Sequence, residues 1–386
     1  MSAFNALGLD GSNPLHALAA LGVLRLGDRL NPGLCMGWSA IDGGWRPVYT
    51  PVQDAEGWIQ EMSEGIRKLA ELGKPDPALN RKVRELSAQL KKALDERKRK
   101  KRILKVQASE EGWPRKGRAN RTLAALAPIV AKIDGIQSEL RTAEASLQAA
   151  NGLGIAHVGD AIGVDASTFR QVGQQAMALW LADVQVPLTK ADDAALLVAQ
   201  LPALGCDAID TKGKVVPTPY SFSNRGGGQY LLKDFRACAS RVTPPLLKAS
   251  LLALGNPTVD DATSLNWDPA DQVSHALVWQ DPEKRTKATN VAANALAYLG
   301  LSMLPCAPGP RGLEASGWAD GGGFVWPIWK SSLGIDQVIG LLATMPRRPP
   351  WRVDELRVRG VEEVRHSAKI NPDGKRNFFA PSRPLA

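Results

Sequence analysis

Histidine and cysteine are scarce, at four of each in 386 residues. Cys35, Cys206, Cys238 and Cys306 lie far apart and form no CxxC pair, which argues against a zinc ribbon or a disulfide framework and fits a reducing cytoplasm. His16, His157, His275 and His366 have no mutual spacing that suggests a metal site, and no HD pair or HxH occurs. The chain has no GxSxG elbow, no GxGxxG and no Walker GK[ST]. No cofactor and no enzymatic activity are therefore expected. No apolar run is long enough to span a membrane, so no membrane partner is expected. Residues Met1 to Leu26 lack a basic n-region, so no signal peptide is expected. Tyrosine is rare beside tryptophan, four against eleven. Packing is the expected role for most of Trp38, Trp45, Trp267, Trp279, Trp326, Trp329 and Trp351, while base stacking remains open for a minority.

What the chain does have is positive charge in one place. Between Lys91 and Arg121 stand thirteen basic residues: Lys91, Lys92, Arg97, Lys98, Arg99, Lys100, Lys101, Arg102, Lys105, Arg115, Lys116, Arg118 and Arg121. Only Asp95, Glu96, Glu110 and Glu111 oppose them, so the segment carries +9, as does the whole chain. Every other residue taken together is neutral. A solvated helix face is the bland account of such a run. Six consecutive basic residues, Arg97 to Arg102, favour a polyanion instead, because like charges at i,i+4 destabilise an unpartnered helix.

Hydrophobic content of 44% and charged content of 23% are ordinary for a soluble protein of two or three domains. Leu15 to Leu30 has helical spacing behind an Asn13-Pro14 start, and Cys35 to Thr50 reads as a hairpin broken at Gly43-Gly44. In the next stretch, Leu79, Val83, Leu86, Leu90 and Ala93 keep a 4-3-4-3 spacing, as do Leu126, Val130, Ile133, Leu140, Ala143 and Leu147. The pattern predicts an antiparallel helical hairpin with a turn over Ser109 to Asn120. Its first arm, Leu79 to Val106, would extend about 42 Å. Further on, helices are expected over Asp160–Leu181, Ala191–Leu201 (ended by Pro202), Gln229–Ala239, Thr243–Leu254, Asn290–Leu301 and Gly334–Ala343. Extended segments are expected over Gln185–Leu188, Val215–Arg225, Phe324–Trp329 and Trp351–Ser367. The expected class is α+β: a mixed α/β body with an inserted long α-helical hairpin carrying a basic tip. Its divisions are residues 1–53, 54–150 and 151–386.

Three further segments carry candidate chemistry. Asn224, Arg225, Gly226, Gly227, Gly228 and Gln229 form a glycine-rich loop ahead of a helix, suited either to phosphate or base contact or to a turn needing positive φ. Asp268 and Asp271 in NWDPADQ suit a nuclease's Mg²⁺, but a capped turn explains them more cheaply. From Thr344 onward, Arg347, Arg348, Arg352, Arg357, Arg359, Arg365, Lys369, Lys375, Arg376 and Arg383 face five acids, with Phe378 and Phe379 among them. Such interleaving fits single-strand contact or simply a basic terminus.

Several phrases are similar, in order and spacing, to the large subunits of type I CRISPR effector complexes (Cascade), nearest the type I-G branch, formerly I-U. They are LGLDGSNPLHALAALGVLRL at the N-terminus, TPYSFSNRGGGQYLLKDFR (Thr218 to Arg236), LNWDPADQVSHALVWQDP (Leu265 to Pro282), NALAYLGLSMLP (Asn294 to Pro305) and VWPIW (Val325 to Trp329). The resemblance implies a non-catalytic DNA-binding subunit that recognises the target-flanking motif (PAM), holds duplex or displaced strand during R-loop formation and recruits a helicase-nuclease. Its partners would be crRNA-containing Cascade backbone subunits, double-stranded target DNA and that helicase-nuclease. In such complexes base pairing reads sequence and protein reads the short flanking motif. A metal-dependent nuclease and an RNA-gripping scaffold are the alternative classes.

Overall fold

Asn13 starts the first helix. Its backbone is extended, and its side-chain oxygen accepts from the amides of Leu15 (2.9 Å) and His16 (3.4 Å), while Pro14 occupies a first-turn position with no intrahelical donor to lose. The computed structural model describes residues 2–71, 77–114, 117–150, 199–222, 231–253, 257–271, 288–310, 312–351, 353–371 and 377–385, with a few positions between 166 and 177. These residues form an α+β protein with several small sheets. It divides into two units, Met1–Leu72 with Ile155–Ala386, and Gly73–Gly154.

In the first unit, β1 (Phe4–Asn5), β2 (Cys35–Ile41) and β3 (Gly44–Thr50) form an antiparallel sheet of order β1-β3-β2. Ile41 pairs with Gly44, so the loop between β2 and β3 is the two residues Asp42-Gly43. Both have positive φ (49° and 73°), as a two-residue hairpin that follows strand twist requires. Helix α1 (Pro14–Leu30) lies between β1 and β2 in sequence, and α2 (Ala55–Glu71) follows β3. The next two helices, α3 (Pro77–Glu110) and α4 (Arg118–Ala150), belong to the second unit. Two strand pairs come next in the first unit, β4 (Gly205–Ile209) with β5 (Val215–Pro217), and β6 (Val259–Asp260) with β7 (Ala288–Thr289). Between these pairs stand α5 (Leu231–Ala239) and α6 (Pro244–Leu252). After α7 (Val291–Gly300), β8 (Cys306–Gly309) pairs with β9 (Gly312–Ala315). The last sheet pairs β10 (Gly323–Trp329) with β11 (Val361–Ile370), and β11 with both β12 (Phe378–Phe379) and β13 (Arg383–Pro384). Helices α8 (Ile335–Ala343) and α9 (Val353–Arg357) lie between β10 and β11 in sequence.

The core centres on α1 and α7, which are buried along nearly their whole lengths. Small residues let their backbones touch: a Cβ on Gly22 would stand 1.8 Å from the Leu296 carbonyl oxygen, and one on Gly300 2.2 Å from that of Leu18. Polar residues inside this core are bonded to one another. Asn294 accepts from the Leu265 amide and donates to Thr289 Oγ1 and the Asn290 carbonyl, while Asn290 caps α7 through the Ala293 amide. Tryptophans tie the sheets to this centre. Indole N–H groups donate from Trp326 to the Gly11 carbonyl (2.9 Å), from Trp329 to that of Met36 (3.0 Å) and from Trp267 to that of Tyr220 (3.0 Å).

Three expectations need correction. The segment 54–150 is not one unit, because Trp58, Ile59, Met62 and Ile66 bury the apolar face of α2 in the body core. Trp351–Ser367 is not a single strand. Asp354 and Glu355 favour the first turn of α9, and Gly360 at φ 86° allows the chain to reverse before β11. Among the described residues of the expected extended stretch, 215–222, only Val215–Pro217 are strand, because a turn closed by the Ser221 amide on the Thr218 carbonyl (3.0 Å) follows. Asp160–Leu181 and Ala191–Leu201 lie largely, and Gln185–Leu188 wholly, outside the described residues.

In the second unit, α3 and α4 pack on one another. Leu86, Ala93, Leu104 and Ala108 are buried from α3, and Leu126, Ile133 and Ala143 from α4. These residues keep the spacing seen in the sequence, except between Ala93 and Leu104, where Arg97, Lys100 and Lys101 occupy the helical-register positions and stay exposed.

Candidate nucleic-acid interface

Helix α3 has no glycine or internal proline after its first residue and is rich in Ala, Leu, Lys, Arg, Gln and Glu, so it continues through its charged segment on propensity. Lys91, Lys92, Arg97, Lys98, Arg99, Lys100, Lys101, Arg102 and Lys105 are all exposed. Lys98 lies 3.9 Å from Asp95, and Glu96 lies 3.7 Å from Lys132 of α4. These exposed pairs use both nearby acids and contribute little each. Among the described residues, Arg97, Arg99, Lys100, Lys101 and Arg102 form no ion pair. Ile103 and Val106 on α3 and Leu123 on α4 are also exposed, at 54%, 55% and 67%.

The turn between the helices is built around Trp113. Its indole donates to Glu111 Oε2 (2.8 Å), and the Arg121 guanidinium stands 5.5 Å from the ring centre. Arg121 thus serves the turn, and half-buried Arg118 begins α4, where a cation opposes the helix dipole. Arg115 and Lys116 lie outside the described residues. So do Asn224, Arg225, Gly226, Gly227, Gly228 and Gln229.

Asp268 immediately precedes a short 3₁₀ turn, Pro269–Asp271, and Asp271 ends it. Asp268 Oδ1 accepts from the Ala270 amide and from Asn13 Nδ2, both at 3.0 Å, and Asp271 accepts from the Ser264 hydroxyl. Burial raises the Asp271 carboxyl to about 7, with the Asp268 charge adding to the rise and hydrogen bonds from Ser264 and Thr289 opposing it. Among the described residues, no group of three or more His, Cys, Asp or Glu side chains is placed to hold a metal ion. His16 is buried; its Nδ1 accepts from the Asp10 amide (3.2 Å), and desolvation pushes its pKa down.

Much of the C-terminal basic set is engaged internally. Arg347 pairs with Glu314 and, at 3.3 Å, with Asp320; Arg357 pairs with Asp354 (2.9 Å); and Arg365 pairs with Glu363. Lys369 lies 5.1 Å from the Phe222 ring centre, and burial lowers its pKa. Phe378 and Phe379 are buried, with Phe379 edge-on to Phe222 at 4.9 Å, so neither is available to stack on a base. Arg348 and Arg359 remain exposed. Arg352, Lys375 and Arg376 lie outside the described residues. Among the described residues, no helix is long and apolar enough to cross a membrane.

No family model, characterised protein or solved structure matches the chain.

Proposed function

We propose that this chain is the non-catalytic, DNA-binding large subunit of a crRNA-guided type I surveillance complex, and that α3 and α4 form a hairpin inserted into the α/β body to hold phosphates of duplex or displaced strand. One observation carries the DNA-binding part: an exposed helical run, Arg97 to Arg102, with five of its six charges unpaired among the described residues. A helix that tolerates like charges at this density gains most from a polyanion laid along it. The ordered phrases similar to Cascade large subunits supply the rest. On that reading the Asn224–Gln229 loop contacts the flanking motif and a helicase-nuclease is recruited.

The test is to express the chain with its neighbouring genes, purify it through a tag and sequence any bound RNA. The expected result is a multi-subunit particle carrying crRNA that binds target duplex in a flank-dependent way. A chain that purifies without partners or crRNA, or that prefers structured RNA to duplex DNA, would overturn the proposal.

A further inference from the structure

Two clefts open on either side of the Arg347-Arg348 step in the body. One, of about 550 Å³, is lined by Pro219, Leu313, Trp318 and the carboxylates Glu314 and Asp320. The other, of about 430 Å³, lies among the proline-rich residues 346–350 and α9 and includes Arg359. Both volumes fall in the range of small-molecule sites, and Arg347 and Arg348 line both.

The lining is chemically divided. Trp318 is half-buried and held edge-on by Tyr220 at 4.9 Å, with Phe379 tilted against it at 6.1 Å, so its indole is a fixed wall. Glu314 and Asp320 both pair with Arg347, and all three line the same cleft, so carboxylates stand in its wall. Arg348 and Arg359 are exposed and, among the described residues, form no ion pair. The first cleft therefore offers an aromatic wall with carboxylate acceptors; the second offers the guanidiniums of Arg348, shared with the first, and Arg359, with Glu355 also in its lining. A planar group bearing N–H donors fits the first, and a phosphate fits the second.

We infer that the paired clefts bind a nucleoside phosphate: an amino-bearing base against Trp318, its N–H groups donating to Glu314 and Asp320, and its phosphate on Arg348 and Arg359. The ligand is either a free nucleotide or one nucleotide of a single strand. None of these residues belongs to the α3–α4 unit, so the two proposed sites can be altered separately by substitution.

The experiment uses the full chain with two probes, ATP by calorimetry and a fluorescent oligo-dA by anisotropy. The oligomer arm uses a background in which Lys98, Arg99, Lys100, Lys101 and Arg102 are replaced by Gln, so the hairpin run does not supply the signal. Arg348→Gln with Arg359→Gln changes two exposed side chains and should leave folding intact. It should weaken at least one probe by at least about tenfold, the loss that removal of even one charge-assisted hydrogen bond implies. For the oligomer, the salt slope should fall by about 0.7 for each phosphate no longer held. ATP binding without preference for the oligomer identifies a free-nucleotide site; oligomer binding alone identifies a strand site. Photolabelling with 8-azido-ATP, or with 8-azido-adenine in the oligomer, should mark the peptide containing Trp318. Failure of the wild type to bind either probe, unchanged affinity in the double variant, or label confined to other peptides would overturn the inference.

Discussion

Replacing Lys98, Arg99, Lys100, Lys101 and Arg102 together by Gln removes five charges from exposed turns of α3 and keeps residues of similar helix propensity. The buried positions Leu86, Ala93, Leu104, Ala108, Leu126 and Ile133 are untouched, so the second unit should fold with equal or slightly higher stability. The reach of the run sets the size of the binding effect. The five replaced residues, Lys98 to Arg102, span about 6 Å of helix axis, along which one DNA strand presents roughly two phosphates at about 3.4 Å each. Releasing two phosphates should make the slope of log K against log salt shallower by about 1.8, so between roughly 50 and 200 mM salt the wild type should lose about twelvefold more affinity than the variant. Anisotropy with fluorescent duplexes of unrelated sequence over a salt series measures this. The loss should be the same for every duplex, because phosphate contacts position without specifying. Wild-type affinity and slope in the variant would refute the reasoning and make the run a solvated face.

Opposite signs are expected for one substitution at two helical glycines. Gly22→Ala, whose Cβ would press on the Leu296 backbone, should destabilise the body by about 2–3 kcal/mol, whereas Gly135→Ala, with nothing within 4 Å, should stabilise the second unit by about 1 kcal/mol in chemical denaturation. Asp271 has a folded-state pKa of about 7, above its ordinary 3.8. Its contribution is therefore most favourable below about pH 4, is lost as pH rises towards 7 and stays lost above. Asp271→Asn should flatten this window and gain up to about 4 kcal/mol at pH 8 relative to pH 4, read from denaturation midpoints at several pH values. Burial pushes the Cys238 and Cys306 thiols up to about 12, so a thiol reagent followed by mass spectrometry should label half-exposed Cys35 first and those two only on unfolding.

Local structure was legible where local chemistry settles it. The Asn13-Pro14, Thr243-Pro244 and Asn290 starts of α1, α6 and α7 are side chains capping amides two or three residues away, and that information lies within a few residues of sequence. Heptad spacing in α3 and α4 was likewise readable, because side chains three and four apart share a helix face. Charge concentration needs no coordinates at all. The allocation of shared residue types was not legible, because it depends on partners distant in sequence. Nothing near Phe378 and Phe379 marks them as core; they are buried because β12 pairs with β11. Arg347 and Arg348 look alike in sequence, yet Glu314 and Asp320 take up the first while the second remains exposed between two clefts. Trp318 gained its place in a cleft from Tyr220, nearly a hundred residues away. Helix α2 looked like part of the hairpin region by position, and only the depth to which Trp58, Met62 and Ile66 are buried assigns it to the body. Composition and short-range periodicity thus set which elements form and where the charge lies, while desolvation and long-range pairing, which act only once the chain has closed on itself, decided which of those residues remain free to meet a ligand.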